Sequence, residues 1–487
     1  MAIKYDILFD STATFEAFKY QREAVDAIKD LEYGAIFHEQ GLGKTKIAID
    51  ILLYWLNNSV DTVIIVTKKT LVLNWISEFK NHTVLTPEIL SSRKNDNYYT
   101  LNSPVRVIVT NFETISSEKE RLKLFLQTRN VAIIIDESTK IKNPQAKLTK
   151  DFFELAQFFS HRIIMTGTPV ANRPYDIWSQ IYFLDGGKSL GTDFNAFKNQ
   201  CDLSNDLDSD IKKASTFEKS VATIFNKIRS FTVRETKNSG IITLPKKNYH
   251  TITVPFEKKQ REMYETLREE MQLSIVKGDE TILDESPEAI KRLLRLVQIT
   301  SNPSLVDDSY RNVSAKQKIL DELIPKILSN GESVIVWSIF TDNIDLFTRL
   351  YKPQGAVKIT GKMSMTERSA SVYAFKSGEA KLLFATPQSA KEGLTLTNAN
   401  HAIFYDRGFN LDDYLQAQDR IHRLSQTKEC HIYNLLVEDS IDQWIDILLF
   451  TKQQAAHLAQ GDTTLSEYHA TADYSFASLI RKILKFS

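Results

Sequence analysis

The sequence predicts an α/β protein built from two parallel-sheet units in tandem, with helical insertions between and within them. Three observations predict it. Short apolar runs of strand length alternate with helically spaced stretches up to about Met165. A second series of the same kind begins near Ser333. The residues between the two series read as mostly helical and polar. Alternation of this kind implies parallel sheets covered on both faces.

In the first series, Phe18–Lys29 carries apolar residues at helical spacing, and Tyr33–Phe37 reads as a short buried strand. That strand enters the loop HEQGLGKT at 38–45, and Lys46–Leu56 reads as a helix. Val63–Val66, Val105–Val109, Val131–Ile135 and Arg162–Met165 read as strands, and Leu71–Phe79 as a helix. Residues from about Asn172 to Thr236 read as helical, broken by the acidic stretch Asp202–Asp210, and Met263–Ile299 reads as helical again. The strands of the second series are Val334–Trp337, Ala356–Ile359, Leu382–Ala385, Ala402–Tyr405 and His431–Leu435. The expected division is a first lobe over 1–245, a second over 246–460, and an unassigned tail over 461–487. Helical protrusions are expected near 172–236 and 255–310.

Composition narrows the class. The 487 residues allow two to four compact units at ~100–200 residues each. A hydrophobic fraction of 42% and a charged fraction of 25% are those of an ordinary globular chain. Lys+Arg and Asp+Glu both number 61, which disfavours a strongly basic coat protein and leaves room for a basic surface on a neutral whole. Two cysteines, Cys201 and Cys430, cannot make a disulfide framework or a cysteine-rich zinc site, and fit a reducing compartment. The first residues lack the apolar core of a signal peptide, and no apolar run approaches the ~20 residues that span a bilayer. The nine histidines show no metal-ligand spacing.

The chemistry concentrates at three places. Gly41, Leu42, Gly43, Lys44 and Thr45 follow an expected strand and open an expected helix. Glycines let backbone amides close around phosphate oxygens, and a helix N-terminus adds favourable partial charge. Lys44 would reach the terminal phosphates of ATP, and Thr45 would ligate Mg2+. His38 stands where the simplest phosphate-loop pattern has its first glycine. Asp136 and Glu137 follow the apolar strand Val131–Ile135, and open parallel sheets bind ligands beyond such strand ends. Asp136 can hold magnesium there, and Glu137 can polarise the attacking water. The third place is QAQDRIHRLSQ at 416–426, where Arg420 and Arg423 are three apart and would share one helical face. Arginine charge on a transferring phosphoryl group raises the rate by ~10³–10⁵ in the best cases. Trp75, Trp178 and Trp337 sit at apolar-periodic positions and read as core rather than base-stacking residues.

The order of these strings resembles the superfamily-two helicase-type ATPases, specifically the Swi/Snf branch, from about Phe18 to Leu458. The resemblance rests on LVLNWISEF at 71–79, TNFET at 110–114, DESTKIKNP at 136–144 and MTGTPVANRPYDIW at 165–178. It continues through LLRLVQITSNP at 293–303, VIVWSIFT at 334–341, EGLTLTNANHAIFYD at 392–406 and QAQDRIHRLSQT at 416–427. It implies two RecA-like lobes, ATP with Mg2+, and movement along double-stranded DNA. It assigns Tyr20 and Gln21 to the adenine, Thr166, Gly167 and Thr168 to coupling, and Gln416, Arg420 and Arg423 to the nucleotide from the second lobe. It gives DNA-backbone contacts to Lys68, Lys69, Thr110, Asn111, Ser338, Thr386 and Gln388.

Two departures from the branch stand out. The acidic box reads DEST, so Ser138 and Thr139 replace the usual following residues, and the loop Gln388–Gly393 keeps only its last glycine. The style resembles bacterial or phage members, which implies a cytoplasmic location with DNA. No membrane contact is expected, and the near-bare motor leaves room for a targeting partner protein. A strand-separating DNA or RNA helicase and a nucleotide-gated nucleic-acid-binding module are the alternatives.

Overall fold

The computed structural model describes residues 16–170, 172–203, 207–241, 244–276, 287–389, 394–423 and 425–484. Among them two compact units form. The first comprises 16–170, 175–199 and 223–241, and the second comprises 172–174, 200–222 and 244–484.

The first unit is organised on seven strands: β1 (Tyr33–Ile36), β2 (Thr62–Thr67), β3 (Glu88–Ile89), β4 (Val107–Asn111), β5 (Val131–Asp136), β6 (His161–Met165) and β7 (Thr232–Val233). Their order is β3-β4-β2-β5-β6-β1-β7, and every pairing is parallel. β2 and β5 lie at the centre with both faces buried, which is why they read as unbroken apolar runs rather than alternating ones. Helices Lys19–Ile28, Lys44–Asn58 and Val72–His82 contribute Ile28, Ile47, Ile51, Trp55, Trp75 and Phe79 to one continuous core.

The second unit has six parallel strands: β8 (Lys247–Val254), β9 (Val334–Trp337), β10 (Ala356–Ile359), β11 (Leu382–Ala385), β12 (His401–Phe404) and β13 (Cys430–Val437). Their order is β10-β11-β9-β12-β13-β8. Side chains alternate across this sheet as the pleat requires. Ile335, Trp337, Leu383, Ala385, Ala402 and Phe404 enter one core, while Val334, Val336, Leu382, Phe384 and Ile403 enter another. The fold is therefore α/β with two parallel sheets in tandem, as the alternating series implies.

Three strands escape the sequence pattern. β3 and β7 are two-residue additions at the edges of the first sheet. β8 carries the polar-alternating KNYHTITV on an edge, and only its pairing with β13 along eight residues makes it a strand. The stretch after 172 is helical at Asp176–Asp185, Phe194–Cys201 and Ile211–Ile228, and the later one at Lys258–Val276 and Pro287–Ser301. The tail forms helices Leu465–Thr471 and Phe476–Ile483, and Ile480, Ile483 and Leu484 join the second unit's core. No helix of the described residues is long and apolar enough to cross a membrane.

Candidate nucleotide site

The phosphate loop connects β1 to helix Lys44–Asn58. Gly41 and Gly43 have φ of 87° and 70°, in the left-handed region that glycine enters without strain. At Gly43 the requirement is also steric, since a Cβ there would stand 2.3 Å from Gln21 Nε2. Gln21 and Tyr20 pack under the loop from the preceding helix: Tyr20 donates its hydroxyl to Leu42 O at 3.1 Å, and Gln21 Nε2 donates to the same oxygen at 3.4 Å. Lys44 folds back over the loop, donating to His38 O at 3.0 Å and Glu39 O at 3.4 Å. Thr45 stands half-buried in the first turn of the helix. His38 is buried and its ring stacks near Tyr20 at 6.0 Å. Burial, with help from the Lys44 and Arg234 charges, pushes its imidazole pKa down to about 4, so it is neutral at physiological pH and does not add to the cation beside it.

The acidic pair leaves the adjacent centre of the sheet. Asp136 ends β5 and is half-buried, and Glu137 takes a left-handed backbone with φ 57°. Register fixes their partners. β2 runs beside β5 with Val66 opposite Ile135, and the residues just after that last pair meet through their side chains, Thr67 with Asp136 and Lys68 with Glu137. Thr67 Oγ1 donates to Asp136 Oδ2 at 3.2 Å, and Trp75 Nε1 donates to the same oxygen at 2.9 Å. Lys68 Nζ lies 3.4 Å from Glu137 Oε2. Burial first, and the neighbouring Glu137 second, raise the Asp136 pKa to about 6, against the opposing pull of Trp75, Lys44 and Thr67. Two adjacent carboxylates in a desolvated corner call for a cation. The glycine cradle, the Lys44 ammonium and this carboxylate pair therefore fit a nucleotide phosphate with Mg2+, with Thr45 and Asp136 as the residues that would hold the metal.

The segment Thr166–Thr168 follows β6 and lies against the phosphate loop. Thr166 N donates to Ile36 O at 3.2 Å, and a Cβ at Gly167 would meet Gln40 Cγ at 2.5 Å and Lys44 Nζ at 3.2 Å. Thr168 N donates to Thr166 Oγ1. Ser138, the departure in the acidic box, is buried and donates to Gln180 Oε1 at 2.7 Å. Gln180 Nε2 in turn donates to Pro169 O at 2.9 Å. Ile141 O accepts from Ser179, and Lys142 pairs with Asp176 at 2.9 Å. Helix Asp176–Asp185 thus joins the acidic turn to the end of the Thr166–Thr168 segment. Sequence reasoning missed Trp75, Thr67 and Gln180 as site residues. Trp75 is core, as expected, but its one polar atom serves Asp136.

In the second unit the arginine segment differs from its expected form. The helix spans Leu411–Gln418, so Arg420 and Arg423 lie on the turn that follows it rather than on a shared helical face. Tertiary bonds stop the helix: Arg420 O accepts from Leu396 N at 3.0 Å, and Gln426 Nε2 donates to Ile421 O and Ala399 O. Arg420 is buried, donating to Gln416 O and Leu394 O, and Arg423 donates to Thr395 Oγ1 at 2.8 Å. Gln416 is buried and donates to Asp412 at 2.8 Å.

The seven residues expected at a DNA backbone divide by accessibility. Thr110 is buried with its hydroxyl on Leu90 O, and Asn111 caps the helix after β4 through Thr114 N. Ser338 donates to the buried Asp406, and Thr386 to Ser389. These four side chains are committed internally. Lys69 and Gln388 are exposed, and Lys68 is partly so. Residues 390–393, with Gly393, lie outside the described residues.

Fold and site together define a phosphate-loop protein with an acidic strand end beside its nucleotide cradle and a second parallel-sheet unit after it. A model of the SNF2-related domain matches residues 20–305, and one of the helicase conserved C-terminal domain matches 315–425. The chain belongs to the SNF2-related family of helicase-type ATPases. It is 26% identical over 457 residues to an uncharacterised ATP-dependent helicase of Mycoplasma genitalium, covering 90% of this chain and 41% of that protein. It is 26% identical over 443 residues to a human SWI/SNF-related, matrix-associated, actin-dependent regulator of chromatin, covering 85% of this chain and 40% of that one. The chain thus spans about two-fifths of the length of these relatives. The Sulfolobus solfataricus SWI2/SNF2 ATPase core in complex with double-stranded DNA aligns at 22% identity and a TM-score of 0.42, over 99% of this chain and 100% of that one.

Proposed function

We propose that this chain is a nucleic-acid-stimulated ATP hydrolase that uses the energy of hydrolysis to move along double-stranded DNA. The observation that carries the reading is the placement of Lys44, in the helix that follows β1, and of the Asp136–Glu137 pair, at the end of β5, beyond the C-terminal strand ends of one parallel sheet. Lys44 and the loop amides bind the phosphates. Glu137 orients and deprotonates the attacking water. Mg2+, held through Thr45 and Asp136, would neutralise charge on the phosphate oxygens. Arg420 and Arg423 supply positive charge to the transferring phosphoryl group, and Gln416 faces the nucleotide. Thr166, Gly167 and Thr168 pass the state of the phosphate loop to the DNA contacts.

Duplex DNA is favoured as the track by family membership and by the SWI/SNF-related relatives. Backbone contacts carry little base information, so binding should be sequence-tolerant and weaken with salt. The test is steady-state ATP hydrolysis at low salt with no nucleic acid, duplex DNA, single-stranded DNA and RNA. Strong stimulation by duplex DNA alone supports the reading, with a triplex-displacement assay to follow. Stimulation chiefly by single strands or RNA replaces it with a strand-separating helicase. A slow rate insensitive to all three replaces it with a nucleotide-gated binding module.

A further inference from the structure

The Lys68–Glu137 pair bears on how the hydrolytic site is regulated, and its regulatory role rests on the translocase reading above. The two residues follow neighbouring parallel strands that are paired up to Val66 and Ile135, so both emerge from the same end of the sheet. Both backbones are constrained. Glu137 sits in a left-handed conformation, and Ser138 after it is anchored on Gln180. Lys68 precedes the short turn Lys69–Leu71, whose Leu71 N donates back to Lys68 O at 2.8 Å. What remains free to move is the four-carbon stem of Lys68 and its ammonium.

That ammonium lies 3.4 Å from the carboxylate that must accept a proton from the attacking water. A carboxylate engaged by a neighbouring cation at this distance is turned away from the water it must orient. The pair is partly in solvent, with side-chain exposures of 26% and 16%, and the exposed Lys69 stands next to it on the surface. Ion pairs with solvent contact are weakly held and open to exchange. An arriving backbone phosphate offers Lys68 a second anion on its solvent side.

We propose that Lys68 is a sensor for the phosphodiester backbone: without nucleic acid its ammonium restrains Glu137, and a bound backbone phosphate takes that ammonium and releases Glu137 to activate water. Nucleic acid then accelerates hydrolysis by removing a restraint one side chain away from the reacting centre. Lys68 is a positioning residue in this scheme, acting through Glu137.

The experiment compares wild type, Lys68→Gln and Lys68→Arg as the intact chain, measuring ATP hydrolysis with and without a short DNA duplex, alongside thermal melting. In Lys68→Gln the DNA-free rate should rise about two- to fivefold, the scale of a weak ion pair released. The ratio of DNA-stimulated to DNA-free rate should shrink toward one with the melting transition unchanged. Lys68→Arg keeps the charge and should retain a low DNA-free rate. A DNA-free rate in Lys68→Gln equal to or below that of wild type overturns the proposal. A wild type that duplex DNA does not stimulate sinks the translocase reading instead, while the DNA-free rates still report whether Lys68 restrains Glu137.

Discussion

Trp75 Nε1 donates a hydrogen bond to Asp136 Oδ2 at 2.9 Å, joining a helix to the end of β5 across 61 positions of sequence. Thr67 donates to the same oxygen. With both donors on Oδ2, the other carboxylate oxygen is left for a metal. Trp75→Phe keeps the ring and removes the donor. A hydrogen bond to a charged group contributes ~1.5–3 kcal/mol, which corresponds to a fall in kcat of roughly 10- to 100-fold. The bond favours the ionised carboxylate, so its loss raises the Asp136 pKa further. The acid limb of the kcat–pH profile should move to higher pH, and an unmoved limb would count against this role for Trp75.

Asp136 itself links the site to stability. Its folded pKa is raised from 3.8 to about 6, chiefly by burial. The folded protein therefore holds this proton more tightly than the unfolded chain does. The resulting stability is fully present below about pH 4, is lost as pH rises through about 6, and is worth about 3 kcal/mol. Asp136→Asn stays neutral throughout. Without nucleotide it should melt several degrees above wild type at pH 8, with the gap closing toward pH 4, and it should lose turnover and magnesium-dependent stabilisation. Equal melting temperatures at pH 8 would remove the burial argument.

Lys44 and Glu137 separate binding from chemistry. Lys44→Ala should weaken nucleotide binding and abolish turnover. Glu137→Gln should bind nucleotide normally and hydrolyse it at least about 100-fold more slowly, as expected when a positioned base is removed. Calorimetric or fluorescence titration beside single-turnover kinetics distinguishes them. Hydrolysis by Glu137→Gln at the parent rate would reassign the base.

Arg420→Ala and Arg423→Ala should lose turnover, with ATP affinity changed much less. Arg420 is buried on the carbonyls of Gln416 and Leu394, so its removal also loosens the turn, and a melting curve must accompany the kinetics. Arg423→Lys retains charge but not the guanidinium that donates to both Thr395 Oγ1 and Asp419 O, and should recover only part of the rate. Loss of affinity without loss of kcat would point to ground-state binding.

Much of the site was legible because it is local. The turn at Gly41 and Gly43, the helix opening at Lys44 and the acid pair closing an apolar strand are each set by a few consecutive residues. The central strands were legible because burial on both faces writes itself as an apolar run. β8 was not, because KNYHTITV on an edge has no apolar signature and exists by pairing with β13. The arginine turn was misread as helix because its sequence is helix-compatible, and the bonds from Leu396 and Gln426 that end the helix come from elsewhere in the chain.

The sequence by itself determined the α/β class and the two parallel series, and it singled out Lys44, Thr45, Asp136 and Glu137 as the candidate phosphate and metal residues. Only the tertiary structure decided what each of these side chains touches. Trp75 and Thr67 meet Asp136, Lys68 meets Glu137, and Ser138 meets Gln180, because parallel strand register and helix docking bring together residues about 40 to 70 positions apart. The physical reason is that local propensity acts over a turn of helix or the length of a strand, whereas a buried polar atom takes its partner from whichever segment the packed core delivers.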